Sequence, residues 1–214
     1  MSASAIKVYP AIIGADLLNL GSEVKSVEDG GADGILIDVL DGHSTPYITF
    51  GPMMVEHLRR ATRLPLDVHL MIEKPERFVF QFAMAGADRF LFDAQIDNPP
   101  ATIDGIREAG KLVGISLRPK TPVDEILPYV DLVDAILVLS TDPSARGHPF
   151  TPETNKKLTA LRESGFTGEL AVYGGLNDKH AQEAREAGAT VLVSGSSIFK
   201  AKDRAARIKT LRGA

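Results

Sequence analysis

The chain of 214 residues contains no cysteine and no tryptophan. Without thiols there is no disulfide framework, no thiolate nucleophile and no Cys-ligated zinc, so any metal has to be held by histidine and carboxylate side chains. Long apolar runs are missing as well. Stretches such as 35–39 and 135–139 fall far short of the roughly 18 residues that span a bilayer. The first residues carry no apolar signal-peptide core, and a soluble, cytoplasmic protein is expected. An excess of positive charge is also absent: 24 Lys and Arg face 28 Asp and Glu, for a formal net charge of −4. That balance gives no global attraction for nucleic acid. The basic stretch from Lys200 to Arg212 reads as a solvated last helix, the alternative being nucleic-acid contact.

What the chain does contain is a repeat. Eight short apolar runs, at 6–13, 34–39, 64–70, 89–92, 111–117, 135–139, 169–172 and 190–193, read as parallel strands buried on both faces. Segments of helical period lie between them, such as 18–30 with Leu20, Val24 and Val27 on one face, and 75–85 with Phe78, Phe82 and Ala85. Helix starts are marked by proline, at Lys74-Pro75-Glu76, Asn98-Pro99-Pro100, Lys120-Thr121-Pro122 and Thr151-Pro152-Glu153. Helix ends are marked by Gly86, Gly110 and Gly188. Strands alternating with helices predict a parallel sheet, and eight such units predict an α/β fold with a single (β/α)8 barrel, or TIM barrel, over residues 1–214. A two-layer, doubly wound sheet is the competing architecture.

A barrel of this kind places reactive groups at the C-terminal strand ends. That rule nominates Asp38, Asp41 and His43 after the second strand, Asp67 and His69 in the third, Asp93 after the fourth, Arg118 after the fifth and Tyr173 after the seventh. A polar group ending an apolar strand must be bonded or aimed into a site, because leaving it buried and unpaired costs roughly 1–3 kcal/mol. The loops after strands seven and eight, Tyr173-Gly174-Gly175-Leu176 and Ser194-Gly195-Ser196-Ser197, are glycine-rich where barrels build phosphate sites. The long connection 140–150 reads either as a cover for the site or as a surface loop.

Four blocks carry a resemblance: Pro10-Ala11-Ile12-Ile13-Gly14-Ala15-Asp16, Asp38-Val39-Leu40-Asp41-Gly42-His43, Ile48-Thr49-Phe50-Gly51-Pro52 and the run 66–75 from Leu66-Asp67-Val68-His69 to Lys74-Pro75. With Gly174-Gly175 and Gly195-Ser196, the chain resembles the ribulose-phosphate 3-epimerase family from end to end. The resemblance implies a barrel of the ribulose-phosphate-binding type, often oligomeric, that inverts C3 of a phosphorylated ketopentose through an enediolate. It further implies a divalent metal on two His and two Asp, the two Asp also acting as opposed acid and base. Asp38 and His69 match two of those ligands. Leu36 and Tyr173 stand at the other two, Ala11 replaces a serine, and Leu40 replaces a methionine. Ser144-Ala145-Arg146-Gly147 keeps part of a glycine run, and Asp93 and Gln95 stand where the family tends to have His and Glu.

Because the departures cluster at the mouth while Asp38 and the phosphate glycines persist, retooling is expected rather than decay. The expected function is that of an epimerase or ketose–aldose isomerase on a phosphorylated ketose. Its catalytic residues are Asp38 as base, His69, Tyr173 and Asp93; Arg118, Gly147, Gly174, Gly175, Gly195 and Ser196 bind substrate. Lys120 is set aside as a solvated loop charge. No cofactor is expected, the alternative being a divalent zinc, iron, manganese or magnesium ion on Asp38, His69 and Asp93. The partners expected are the phosphorylated ketose and further copies of the chain, as a dimer or larger homo-oligomer, with no nucleic acid and no membrane. The alternative functions are a carbon–carbon or carbon–oxygen lyase at the same site, and a non-catalytic sugar-phosphate binder.

Overall fold

The computed structural model describes residues 5–144 and 149–213. Its strands are β1 (Lys7–Pro10), β2 (Ile35–Leu40), β3 (Leu66–Met71), β4 (Arg89–Asp93), β5 (Leu112–Leu117), β6 (Ala135–Leu139), β7 (Glu169–Tyr173) and β8 (Val191–Ser194). All pair in parallel with their sequence neighbours, β1 pairs with β8, and a parallel bridge between Ala11 and Leu36 brings β1 onto β2. One sheet therefore curls onto itself, which excludes the two-layer alternative. The eight strands fall on the eight apolar runs, with ends differing by up to three residues.

Around the sheet lie α1 (Leu20–Asp29), α2 (Pro52–Ala61), α3 (Val79–Ala85), α4 (Pro99–Glu108), α5 (Glu153–Glu163), α6 (Asp178–Glu186), the short α7 (Ser196–Phe199) and α8 (Arg204–Arg212). The helix expected to start at 120–122 is not an α-helix. Two 3₁₀ segments, Val123–Glu125 and Leu127–Leu132, connect β5 to β6 instead. Pro128 lacks the N–H an α-helix would need there, and its ring would clash with the preceding turn. Likewise the segment from Pro75 opens as a 3₁₀ turn and becomes α3 only at Val79.

The strands are apolar throughout because both faces are covered. Ile35, Ile37 and Val39 point outward to a core shared with Val24 and Val27 of α1. The opposite set, including Tyr9, Ala11, Leu36, Leu91, Leu137 and Val193, fills the barrel interior. Asp67, Arg89 and Glu169 share this inward parity but lie at the N-terminal end of the barrel, with Lys7 beside them. Arg89 bonds Asp67 from Nε (2.9 Å) and Nη2 and reaches Glu169 from Nη1 (2.5 Å), while Lys7 pairs with Glu169. The expectation that Asp67 joins His69 at the mouth is therefore corrected. Residues two apart on a strand share a face, but Asp67 sits roughly 6.6 Å nearer the floor. Burial pushes the Asp67 carboxyl up to about 6 against the pull of Arg89.

The three arginines of the last helix are paired with acids of neighbouring segments, while Lys209 is exposed. Arg204 pairs with Glu23 of α1, Arg207 with Asp178 of α6, and Arg212 with Asp33 before β2. Among the described residues, no helix is long and apolar enough to cross a membrane.

Candidate active site

The site grows out of strand register. Asp38 of β2 and His69 of β3 are directly opposite partners, and both point inward. His69 Nδ1 lies 3.2 Å from Asp38 Oδ1, and His69 Nε2 lies 3.0 Å from the Ser116 hydroxyl of β5. Both His69 and Ser116 are fully buried, and Asp38 is nearly so. From β7 the Tyr173 hydroxyl donates to Asp38 Oδ2 at 2.7 Å. With the imidazole proton on Nδ1, His69 donates to Asp38 and Ser116 donates to Nε2. A buried carboxylate is tolerable when hydrogen bonds replace its water.

Above Asp38 opens a cavity of about 650 Å³ whose walls include Tyr173, Tyr47, Asp142 and Lys200. Its far side is built by Gly174, Gly175, Gly195 and Ser196, so the structure brings those four predicted binding residues into one cavity with Asp38 and Tyr173. Gly174 and Gly175 adopt φ of 108° and 60°, a left-handed pair that only glycine takes up without strain. The turn is fastened by Ser140, whose hydroxyl donates to the carbonyls of Tyr173 (3.0 Å) and Gly174. On the other flank Phe150 stacks on His180, with ring centroids 4.4 Å apart, and His180 Nδ1 meets the Gly175 carbonyl at 3.0 Å.

Gly14 completes this cradle from β1's side. A Cβ there would stand 2.5 Å from Gly195 C and Ser196 N, both backbone atoms that cannot swing away. Overpacking of this kind costs on the order of 1–3 kcal/mol. Gly14→Ala should therefore displace the Gly195–Ser196 backbone and raise KM for a phosphorylated substrate roughly tenfold, with kcat little changed. Steady-state kinetics checks the split, and an unchanged KM would show that this backbone does not touch substrate.

Two predicted residues are placed elsewhere. His69 is in register with Leu91, so Asp93 stands one inward layer higher, opposite Ser116 on β5. There it pairs with Arg118, and both line a neighbouring cavity of about 370 Å³ rather than the one above Asp38. Asp38, His69 and Asp93 are thus not gathered as the alternative metal set, and among the described residues no three His, Cys, Asp or Glu converge on a metal position. Gly147 lies outside the described residues.

Sequence reading missed Ser116, Lys200, Asp142, Tyr47 and Gly14. Ser116 carried a signal, as a lone hydroxyl inside the apolar run 112–117. Lys200 carried none, since it looked like the first of several surface charges. Asp142 accepts from the Ser144 hydroxyl (2.6 Å) and N–H (2.9 Å). Those bonds hold its carboxyl below the usual carboxylate value, with smaller help from Arg118 and Lys120.

Residues 7–199 match the ribulose-phosphate 3 epimerase family. The chain belongs to that family. It is 43% identical to ribulose-phosphate 3-epimerase of Bacillus subtilis, covering 97% of this chain and 99% of the relative. It is 41% identical to the Synechocystis enzyme, over 97% and 93% of the two chains. The epimerase family is one of isomerases, and the chain is an isomerase-class enzyme by that descent. Among solved structures, 3-hexulose-6-phosphate synthase from Salmonella typhimurium superposes with a TM-score of 0.76 at 19% identity, covering 97% of each chain. Streptococcus mutans KGPDC gives a TM-score of 0.78 at 17% identity, over 98% and 96% of the two chains. At such identities these two speak for the barrel fold alone. Within the epimerase family's site pattern, Leu36 is packed in the barrel's inner apolar cluster, and Tyr173 meets the Asp38 carboxylate.

Proposed function

We propose that this protein is a sugar-phosphate epimerase in which Asp38 and Tyr173 exchange the C3 proton of a ketose phosphate such as ribulose 5-phosphate, without the four-ligand metal of its family. The observation that carries the reading is the 2.7 Å hydrogen bond from Tyr173 to Asp38 at the floor of the cavity whose far wall is the glycine cradle. The residues present do not fit the family's divalent site. Leu36 has no lone pair to offer, and both ring nitrogens of His69 are engaged, on Asp38 and Ser116. Tyr173 replaces a carboxylate with a phenol already bonded to Asp38.

In the reaction, the cradle and the Lys200 ammonium hold the phosphate. The Asp38 carboxylate takes the proton from C3, the C–H electron pair becomes the C2–C3 double bond, and charge moves to O2. In this structure the two groups touch, so the substrate has to part them: C3 enters between the Asp38 carboxylate from β2 and the Tyr173 hydroxyl from β7, which then lie on its two faces. When the C2 carbonyl re-forms, C3 takes the phenolic proton on the opposite face. Once product has left and the Asp38–Tyr173 hydrogen bond re-forms, the phenolate recovers a proton from Asp38, and the pair is reset with no net change. His69 orients the base through Nδ1 and is itself held by Ser116.

The test is NMR of ribulose 5-phosphate in D₂O with chelator-treated enzyme, beside a sample given back divalent metal. The expected result is deuterium at C3 with xylulose 5-phosphate appearing, equally in both samples. Exchange only in the metal-supplemented sample overturns metal independence. Deuterium at C1 with an aldose overturns epimerisation in favour of isomerisation, and no exchange in either sample overturns the sugar-phosphate epimerase reading.

A further inference from the structure

The neighbouring cavity is a built polar site that the chemistry at Asp38 does not use. Arg118 bonds Asp93 through Nε and the Ser44 carbonyl through Nη1 at 3.3 Å. Among the described residues nothing bonds its Nη2. Asp93 Oδ1 accepts the Gln95 N–H at 3.0 Å, and the Gln95 side-chain oxygen accepts from Thr121 at 3.0 Å. The loop behind Arg118 is fixed by Lys157 of α5, whose ammonium donates to the carbonyls of Arg118 (2.9 Å), Pro119 (2.7 Å) and Thr121 (2.6 Å). This is a rigid presentation of one donor and one acceptor, with Asp93 only 6% exposed.

Its position follows from topology. In a closed ring of eight strands in chain order, β4 faces β8 and β3 faces β7. A ligand anchored by phosphate at the loops after β7 and β8, and passing over Asp38 on β2, directs its other end toward the ends of β3, β4 and β5. Met71, at the end of β3, lines both cavities and forms the wall they share.

We propose that Asp93 and Arg118 form a subsite for the unphosphorylated end of the substrate, reading the C1 hydroxyl of a 2-ketose phosphate. The inference rests on the sugar-phosphate reading above and names the part of the substrate that selects it. The charge of the pair decides the chemistry recognised. A lone arginine is complementary to a carboxylate or a second phosphate, whereas an arginine neutralised by Asp93 offers a donor beside an acceptor and suits a neutral hydroxyl. Substrates with a hydroxymethyl ketone end are therefore favoured over 1-deoxy ketoses and over 2-keto sugar acids. Because the pair does not reach Asp38, it acts on binding and alignment rather than on proton transfer.

The experiment compares a 2-ketose 5-phosphate with its 1-deoxy analogue, whose C2 carbonyl and C3 proton are intact, by C3 deuterium exchange and by titration calorimetry of the corresponding unreactive pentitol phosphates. The wild-type enzyme should prefer the C1-hydroxylated compound by roughly 10- to 100-fold, the range of a hydrogen bond to a charged group. Arg118→Met should erase that preference, raising KM for the C1-hydroxylated compound to that for the 1-deoxy compound. Asp93→Asn, which keeps the shape and frees the arginine's charge, should shift binding toward a phosphate ligand with a carboxylate at C1. A preference retained in a folded Arg118→Met protein overturns the subsite. If that variant does not fold, failure of Asp93→Asn to gain carboxylate affinity overturns it. No exchange by the wild type with either ketose overturns the epimerase reading alone, and the calorimetric comparison then still decides the subsite.

Discussion

Asp38→Asn should lower kcat roughly 10³- to 10⁴-fold, the upper part of the range for removing a general base, while leaving substrate binding and the melting temperature nearly unchanged. The amide keeps the shape of the carboxylate but has no basicity. The network around it can also survive. The Asn oxygen can accept from Tyr173, its NH₂ can donate to His69 Nδ1, and the imidazole proton then moves to Nε2 and points at Ser116. Tyr173→Phe separates the two halves of the reaction. Asp38 still removes the C3 proton and returns it to the same face, so deuterium should enter the substrate while formation of the epimer falls. A Tyr173→Phe enzyme that makes epimer as fast as it exchanges would show that the opposite-face proton comes from another group. Turnover by Asp38→Asn within tenfold of the wild type would remove Asp38 as the base.

The largest expected effect on stability lies at the other end of the barrel. Arg89→Leu should destabilise the fold by about 3–5 kcal/mol, the range for removing one partner of a buried ion pair, because it leaves Asp67 buried without its guanidinium. Glu169 loses a partner too, but it keeps Lys7 and is more exposed. The deficit should depend on pH in a definite direction. Asp67 already titrates at about 6, above its ordinary 3.8, because burial outweighs Arg89. A carboxyl raised by folding binds its proton more tightly in the native state, so its contribution is full below about pH 4 and is lost as pH rises through 6. Without Arg89 the shift grows, and the penalty accumulates at up to about 1.4 kcal/mol per pH unit over a wider span. Urea unfolding at pH 5 and pH 8 checks this. The variant's deficit should be larger at pH 8, and equal deficits would mean that Asp67 is not the group left stranded.

These two sites share one feature of the sequence that reads in opposite ways. Asp67 and His69 are two residues apart in the same buried strand, and the rule that strand ends carry chemistry nominated both. The structure places His69 beside Asp38 and Asp67 beside Arg89 at the other end, because alternation specifies a face but not a height in the barrel. Height is set by which residue of β3 pairs with which of β2 and β4: Asp38 with His69, but Asp67 with Arg89. The same register lifts Asp93 a layer above His69 and delivers it to Arg118. No local pattern encodes that offset, since it arises from the stagger of strands around a closed ring.

The tyrosine at the end of β7 and the serine within β5 look unrelated in the chain. In the fold the Tyr173 hydroxyl bonds Asp38 and the Ser116 hydroxyl bonds His69, so both belong to one hydrogen-bonded group.

By itself the sequence determined an α/β fold with a parallel sheet, because eight doubly buried strands alternating with helices need cover on both faces; closure into a barrel rather than a two-layer sheet shows only in the β1–β8 and β1–β2 pairing. It also determined the Gly174-Gly175 turn after β7, whose left-handed backbone is a local requirement. Only the tertiary structure decided which polar groups meet. Hydrogen bonds and ion pairs act over about 3 Å, and the residues that make them here lie 22 to 135 positions apart, so their partners are set by register, stagger and closure of the barrel.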